Sequence, residues 1–319
     1  MRVLFWGTPE FAAAPLRALI GEGFEVTGVV TQPDKPQGRS RRLTPPPVKQ
    51  IALDERIPVY QPASPKDEEF GEAIAIMAPD ISVVVAYGHI LPKRIIELPR
   101  LGTLNIHASL LPQLRGAAPI QAAIRQGLTE TGVTIMRMVP ALDAGPIILP
   151  AATPILDDET YGELQNRLSE LGALTLLESL ALIDLGAAIE QPQDDARATY
   201  APKITRGDAL VDWKLTAGEV ARTIRAYDPK PGAFTTVNGT EVKLFGPRVL
   251  SVNTVPMNSG IPEPGDVVSL HDGMVVMCSD TAIRIQEVQP AGKSRMLSAE
   301  WARGRGVALG DKCGALPIA

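Results

Sequence analysis

The chain has 319 residues, 45% of them hydrophobic, and a formal charge of −5; at about 100–200 residues per domain that is material for two packed cores. It contains no run of eighteen apolar residues, and its apolar start, Val3 to Trp6, is too short for a signal peptide, so neither a membrane-spanning nor a secreted protein is expected. Two cysteines, Cys278 and Cys313, match no metal spacing and favour a reducing cytoplasm, while the acidic total argues against a nucleic-acid partner.

The first 140 residues alternate strand and helix signals. Val3 to Trp6 reads as a buried strand ending at Gly7. Thr8 is placed as an N-cap with Pro9 at the first helical position, and Phe11 to Ile20 carries the helix until Gly21 and Gly23. Val26 to Thr31 is a strand, Val48 to Arg56 a helix, Val59-Tyr60 a short strand and Lys66 to Met77 an amphipathic helix. Ile81 to Tyr87 is apolar on both faces and so predicts a central strand of a covered sheet. Thr103 to His107 is a further strand, Pro119 to Arg125 a helix and Val133 to Met138 a strand. This alternation predicts a doubly wound, mostly parallel α/β sheet. Thr160 to Leu185 follows as a long helix interrupted at Gly172.

Beyond about residue 205 the pattern changes. Phe234 to Val237, an Asn238-Gly239 turn and Val242 to Phe245 make a hairpin signal. Asp266 to Leu270, Met274 to Cys278 and Ala282 to Val288 add strands, and Leu215 to Ala226 adds a helix. A small, mostly antiparallel barrel is expected. The boundaries are placed at 1–189 for the first domain, 190–205 for a linker and 206–319 for the barrel.

The first turn reads Gly7-Thr8-Pro9-Glu10-Phe11, which is no G-x-G-x-x-G, and no phosphate loop occurs. Ligands of open α/β sheets still bind beyond the carboxyl ends of the strands. There the chain reads Asn105-Ile106-His107-Ala108-Ser109. Asn105 and His107 share a strand face. Asp143, between Leu142 and Ala144 after the next strand, can approach His107 if the two strands are neighbours. An amide donor, an imidazole and a carboxylate suit acyl transfer: Asn105 for an oxyanion, His107 for protons and Asp143 to orient the ring. The other reading is that these are satisfied core groups, and the residues alone leave the two about even. Ser109 lacks the context of a nucleophile. His89 reads as an exposed loop residue unless a family pattern places it beside the site, His271 as surface, Cys278 as a buried small hydrophobe and Cys313 as a free thiol. No metal set is expected.

The segments Asn105-x-His107-x-Ser109-Leu110-Leu111-Pro112, Arg115-Gly116-Ala117-Ala118-Pro119-Ile120 and Leu142-Asp143-x-Gly145 together resemble the folate-dependent formyltransferases. Gly7-Thr8-Pro9-Glu10-Phe11, Thr31 to Pro36, Val85 to Pro92 and Glu130 to Met136 fit the same pattern in order, over essentially the full length. The resemblance implies a Rossmann-like formyltransferase domain followed by an OB-like barrel. It implies that Asn105, His107 and Asp143 are catalytic and that Ser109, Leu110, Leu111 and Pro112 line the site of the donor, 10-formyltetrahydrofolate. The acceptor it implies is the free α-amine of methionine on initiator methionyl-tRNA, in translation initiation. An amino-sugar nucleotide acceptor is the alternative within the family; a folate deformylase and an RNA-binding module on an inert sheet are the other readings. A cytoplasmic monomer is expected.

The segment 32–49 carries five basic side chains against one acidic, a net +4. It is long for an α/β connection, with a stiff Pro45-Pro46-Pro47 stalk and Gly38 near its tip. By itself it reads as a solvated loop or a phosphate contact. The resemblance makes it the arm that reaches the acceptor end of the tRNA, through Lys35, Arg39, Arg41 and Arg42. Residues 1–202 hold 17 basic and 24 acidic side chains, net −7, and 203–319 hold 14 and 12, net +2. Without 32–49 the first part stands at −11. The acidic total therefore hides one local basic feature.

Overall fold

The computed structural model describes residues 1–37, 42–251 and 261–314. The chain divides into two compact units. The first comprises Met1–Pro119, Glu130–Pro154 and Gln165–Pro202; the second comprises Ile120–Thr129, Ile155–Leu164 and Lys203–Ala319. No helix of the described residues is long and apolar enough to cross a membrane.

In chain order the first part of the structure runs β1 (Arg2–Gly7), α1 (Ala13–Gly21), β2 (Glu25–Val30), β3 (Lys35–Gln37), β4 (Arg42–Thr44), α2 (Pro47–Asp54) and β5 (Val59–Tyr60). It continues α3 (Glu68–Met77), β6 (Ile81–Val85), α4 (Lys93–Ile96), β7 (Thr103–His107), β8 (Arg115–Gly116), α5 (Pro119–Gln126), β9 (Glu130–Arg137), β10 (Ile147–Pro154), α6 (Tyr161–Asp184) and β11 (Tyr200–Ala201). The main sheet has the order β10-β9-β7-β6-β1-β2-β5. Five strands are parallel; β9 runs antiparallel to β7 and β10 antiparallel to β9. The β-branched run of β6 lies at the sheet centre, and all five of its residues are buried. Each fully buried Val or Leu of this kind contributes about 1.5–3 kcal/mol.

Several local expectations meet a stronger competitor. Thr8 does not cap a helix: its hydroxyl donates to the Tyr87 carbonyl at 3.1 Å, and Glu10–Ala12 forms a 3-10 turn before α1. Gly172 does not interrupt α6, which is continuous for 24 residues. A Cβ at Gly172 would stand 3.0 Å from Cγ2 of Ile106, so the glycine lets the helix pass close to β7. The strand β10 is punctuated by Pro150 and Pro154, which hides it from a sequence reading; as an edge strand it tolerates them. The basic segment 32–49 contains a two-stranded hairpin, with Lys35 opposite Thr44. Of the stretch read as a linker, residues 190–202 lie in the first unit, where Gln191 pairs with Ile147 and Tyr200 with Arg115. Most of α5 falls in the second unit, where Arg125 donates to the Tyr227 hydroxyl at 2.9 Å.

The second unit contains α7 (Ala217–Tyr227), β12 (Phe234–Val237), β13 (Thr240–Val249), β14 (Val267–Ser269), β15 (Met274–Met277), β16 (Ala282–Pro290), β17 (Met296–Leu297), α8 (Ser298–Arg303) and β18 (Cys313–Gly314). The antiparallel order is β14-β15-β16-β13-β12-β18. The sheet curls until its edges meet: Val267 N–H donates to Asp311 O at 2.8 Å and Cys313 N–H to Gly265 O at 2.7 Å. This is the expected OB-like barrel. Asn238 and Gly239 both have positive φ, +50° and +74°, as the two-residue hairpin turn requires. Cys278 and Cys313 are both buried in the barrel core, and burial pushes each thiol up to about 12. Helix α7 begins on a capping box, with Thr216 and Glu219 bonding each other's backbone.

Candidate active site

Register places Trp6 opposite Val84, Val84 opposite Asn105 and Asn105 opposite Met136. Asn105 is therefore the one polar member of an apolar row on one sheet face. Among the described residues its carboxamide has no hydrogen-bond partner. An amide held half-buried and unengaged is free to serve a ligand.

His107 ends β7 two residues further along, on the same face and 5% exposed. Its Nε2 lies 3.0 Å from the Leu114 carbonyl oxygen. A carbonyl only accepts, so Nε2 carries the hydrogen and the neutral ring keeps its lone pair on Nδ1. Nδ1 faces Asp143 Oδ2 at 3.7 Å. A proton arriving on Nδ1 meets a carboxylate already in place.

Asp143 reaches this point by a route that the sequence did not suggest. Because β9 is antiparallel to β7, it ends beside Leu104, away from His107. The following loop turns back. Arg137 N–H donates to Pro146 O at 2.9 Å. The Gln193 carboxamide donates to the carbonyls of Asp143 at 2.8 Å and Gly145 at 2.7 Å. Asp143 has φ +48°, and its Oδ2 accepts the Gly116 N–H at 2.8 Å. Gln193 is held in turn by buried Arg115, whose second partner is Asp195 at 2.8 Å.

The loop after β7 closes on itself. The Ser109 hydroxyl donates to Gln113 O at 2.6 Å, so it is engaged and not a free nucleophile. Thr134 donates to Ser109 O at 2.7 Å and accepts the Leu111 N–H at 3.1 Å. Leu114 N–H donates to Thr199 Oγ1 at 2.8 Å. Leu110, Leu111 and Pro112 are thus fixed beside His107. Gln193, Thr134 and Thr199 escaped the sequence reading: their bonds span 23 to 85 residues, and no local pattern announces them.

Beside β7, the turn after β6 has Ala86 at φ +46° and Gly88 at φ +86°. Ile90 is 77% exposed and His89 is exposed, its ring 5.5 Å from that of Tyr87. Burial pushes the Tyr87 hydroxyl up to about 12.

The basic hairpin is anchored at its base. Lys49 donates to both Asp34 oxygens at 2.8 Å and to Gln61 Oε1 at 2.8 Å. The Lys49 ammonium, with Gln61, holds the Asp34 carboxyl below the usual range. Lys49 is thus engaged inward, and Lys35 donates to Gln32 Oε1 at 2.5 Å. Arg39 and Arg41 lie outside the described residues, as does the side chain of Arg42. The structure brings Asn105, His107, Asp143 and the Ser109–Pro112 segment together; Lys35 stands apart from them on the hairpin.

A doubly wound sheet with this amide, imidazole and carboxylate set is matched by the formyl transferase family model over residues 1–180 and by the formyl transferase C-terminal domain model over 203–306. The chain belongs to the formyl transferase family. It is 45% identical over 313 residues to the methionyl-tRNA formyltransferase of Aromatoleum aromaticum, covering 98% of this chain and 96% of that one. To the methionyl-tRNA formyltransferase of Bacillus subtilis it is 43% identical over 315 residues, covering 98% of each. Within the family, the chain stands among the methionyl-tRNA formyltransferases. The crystal structure of HypX from Aquifex aeolicus in complex with tetrahydrofolic acid shares the fold with a TM-score of 0.66 at 21% identity, over 94% of this chain and 46% of that one.

Proposed function

We propose that the chain transfers the formyl group of 10-formyltetrahydrofolate to the α-amine of methionine on initiator methionyl-tRNA, as a cytoplasmic monomer. The observation that carries the chemistry is the fixed His107 tautomer, with Nδ1 facing Asp143 and the free Asn105 carboxamide two residues away. The amine nitrogen attacks the formyl carbon. Asn105 donates to the formyl oxygen as it becomes an oxyanion. His107 Nδ1 takes the amine proton, directly or through one water, and Asp143 balances the imidazolium. The bond from the formyl carbon to the folate nitrogen then breaks, and that nitrogen receives the proton. Leu110, Leu111 and Pro112 supply apolar surface to the donor, and the rigid loop holds two large substrates in register. Leu142, 61% exposed on the Asp143 loop, adds to that surface.

Lys35, Arg39, Arg41 and Arg42 bind phosphates of the tRNA acceptor end. Neutralising the three arginines is expected to weaken tRNA binding and to flatten its dependence on salt. The deciding experiment is formyl transfer from 10-formyltetrahydrofolate to charged initiator tRNA, set against an amino-sugar nucleotide acceptor. Faster transfer to the sugar nucleotide overturns the proposed acceptor.

A further inference from the structure

The carboxyl ends of β1, β2 and β6 are tied together by two residues, Thr8 and Gln32. The Gln32 Nε2 donates to the Tyr87 carbonyl at 2.9 Å. The same carbonyl accepts the Thr8 hydroxyl at 3.1 Å, and Thr8 Oγ1 in turn accepts the Gln32 N–H at 3.4 Å. The other end of the Gln32 carboxamide accepts from Lys35 Nζ at 2.5 Å, and its backbone carbonyl accepts from Gln61 Nε2 at 2.9 Å. Gln61 belongs to the clamp on Asp34 that anchors the hairpin. Gln32 thus joins the basic hairpin on one side to the turn after β6 on the other.

The fit at the turn is close. A Cβ at Gly88 would lie 2.4 Å from Gln32 Nε2, and the φ of +86° at Gly88 further disfavours any other residue. The turn itself has the marks of a ligand-facing segment. Ala86 is a non-glycine residue held at φ +46°, and the apolar Ile90 side chain is 77% exposed beside it. It follows Val84, which is opposite Asn105, so it flanks the strand end that carries His107. In an open α/β sheet this is where a ligand sits.

We infer that Gln32 is a positioning residue: it holds the 86–91 turn in place beside the strand end that carries His107, where it borders the formyl donor, and Lys35 on the hairpin sets the strength of that hold. A charged donor on the carboxamide oxygen polarises the group and strengthens the N–H bond to Tyr87. The state of the hairpin therefore reaches the donor site through one amide. This inference rests on the folate reading above.

The test is calorimetric binding of 5-formyltetrahydrofolate, an inert relative of the donor, to the full chain. In Gln32→Met, whose side chain has similar length and no polar end, affinity is expected to fall about tenfold, the worth of one lost hydrogen bond. In Lys35→Met, an exposed change that leaves Gln32 and the turn themselves unaltered, it is expected to fall about threefold. Adding Lys35→Met to Gln32→Met should change nothing further, because the two act through one bond. In turnover, Gln32→Met is expected to raise the donor KM more than it lowers kcat. A Gln32→Met affinity within about twofold of wild type overturns the inference, as do effects of the two changes that multiply. If Gln32→Met does not fold, Lys35→Met alone decides: an unchanged affinity overturns the coupling. A wild-type chain that does not bind the probe at all overturns the folate reading instead.

Discussion

The Leu114 carbonyl oxygen accepts the Nε2 hydrogen of His107 at 3.0 Å, and this bond leaves Nδ1 as the nitrogen available for proton transfer. His107→Gln is a sharp test, since its amide can still donate to Leu114 but offers no base. Turnover is expected to fall about 10²–10⁴-fold with the thermal transition close to wild type. Steady-state kinetics and calorimetry check it; a near-normal kcat assigns the proton to another group.

Asn105 has an apolar row on either side and no internal partner among the described residues. Asn105→Ala is expected to lower kcat by about 10²–10³, as losing one oxyanion donor does. The fold should be undisturbed, because no internal bond is broken. Single-turnover rates at saturating substrates would show the loss in the chemical step. A loss confined to KM would make Asn105 a binding group only.

Gln193 touches no reacting atom in the proposed mechanism, yet it holds both carbonyls of the loop that presents Asp143. Gln193→Leu keeps the bulk and removes the bonds. A displacement of about 1 Å at a reacting group can cost as much as 10²-fold, and a loss of about tenfold in kcat is expected here. Gln193→Glu still accepts from Arg115 but cannot donate to the two carbonyls, so it should be as slow. If both variants turn over like wild type, the loop is held by Gly116 and Pro146 without it.

The barrel domain carries a pH-dependent element in its helix cap. Glu219 bonds the Thr216 hydroxyl and backbone, and Asp280 accepts the Ala217 N–H; these bonds hold both carboxyls below their usual values. A depressed folded pKa contributes stability that is fully present above the unfolded value, 4.5 for Glu219, and is lost as pH falls through the folded one. Glu219→Ala should therefore lower Tm at pH 7, and the gap should close at acid pH below the Glu range. Thermal scans of the two chains across that range decide it; a gap constant with pH points to lost packing.

Much of both domains was legible because their signals are local and mutually consistent. The β-branched run of β6 predicts a central strand and is one. Asn105 and His107 share a face by the two-residue period of a strand. The hairpin at Asn238-Gly239 follows from the only backbone geometry that such a turn allows. What stayed hidden depends on distant partners. Thr8 has the form of a cap, but a carbonyl 79 residues away claims its hydroxyl. The direction of β9 is fixed by pairing with β7 and β10, which periodicity does not encode. The polar stretch near Gln193 has the composition of a linker, and its role rests on carbonyls about fifty residues earlier.

Gly172 gives the spacing of Asn105 and His107, the proposed catalytic pair, an origin behind the sheet. The residue it nearly touches, Ile106, stands between Asn105 and His107 on the opposite face of β7. The bare backbone of α6 is the back wall against which that strand rests. Ordinary protein engineering would fill such a site, since alanine favours a helix by about 1 kcal/mol over glycine. Here the added methyl would press on Ile106 and shift Asn105 and His107, the two side chains proposed to act on the substrates. A helix made stiffer in this way would leave the enzyme with a displaced reaction centre, although the change is made on the far side of the sheet from the chemistry.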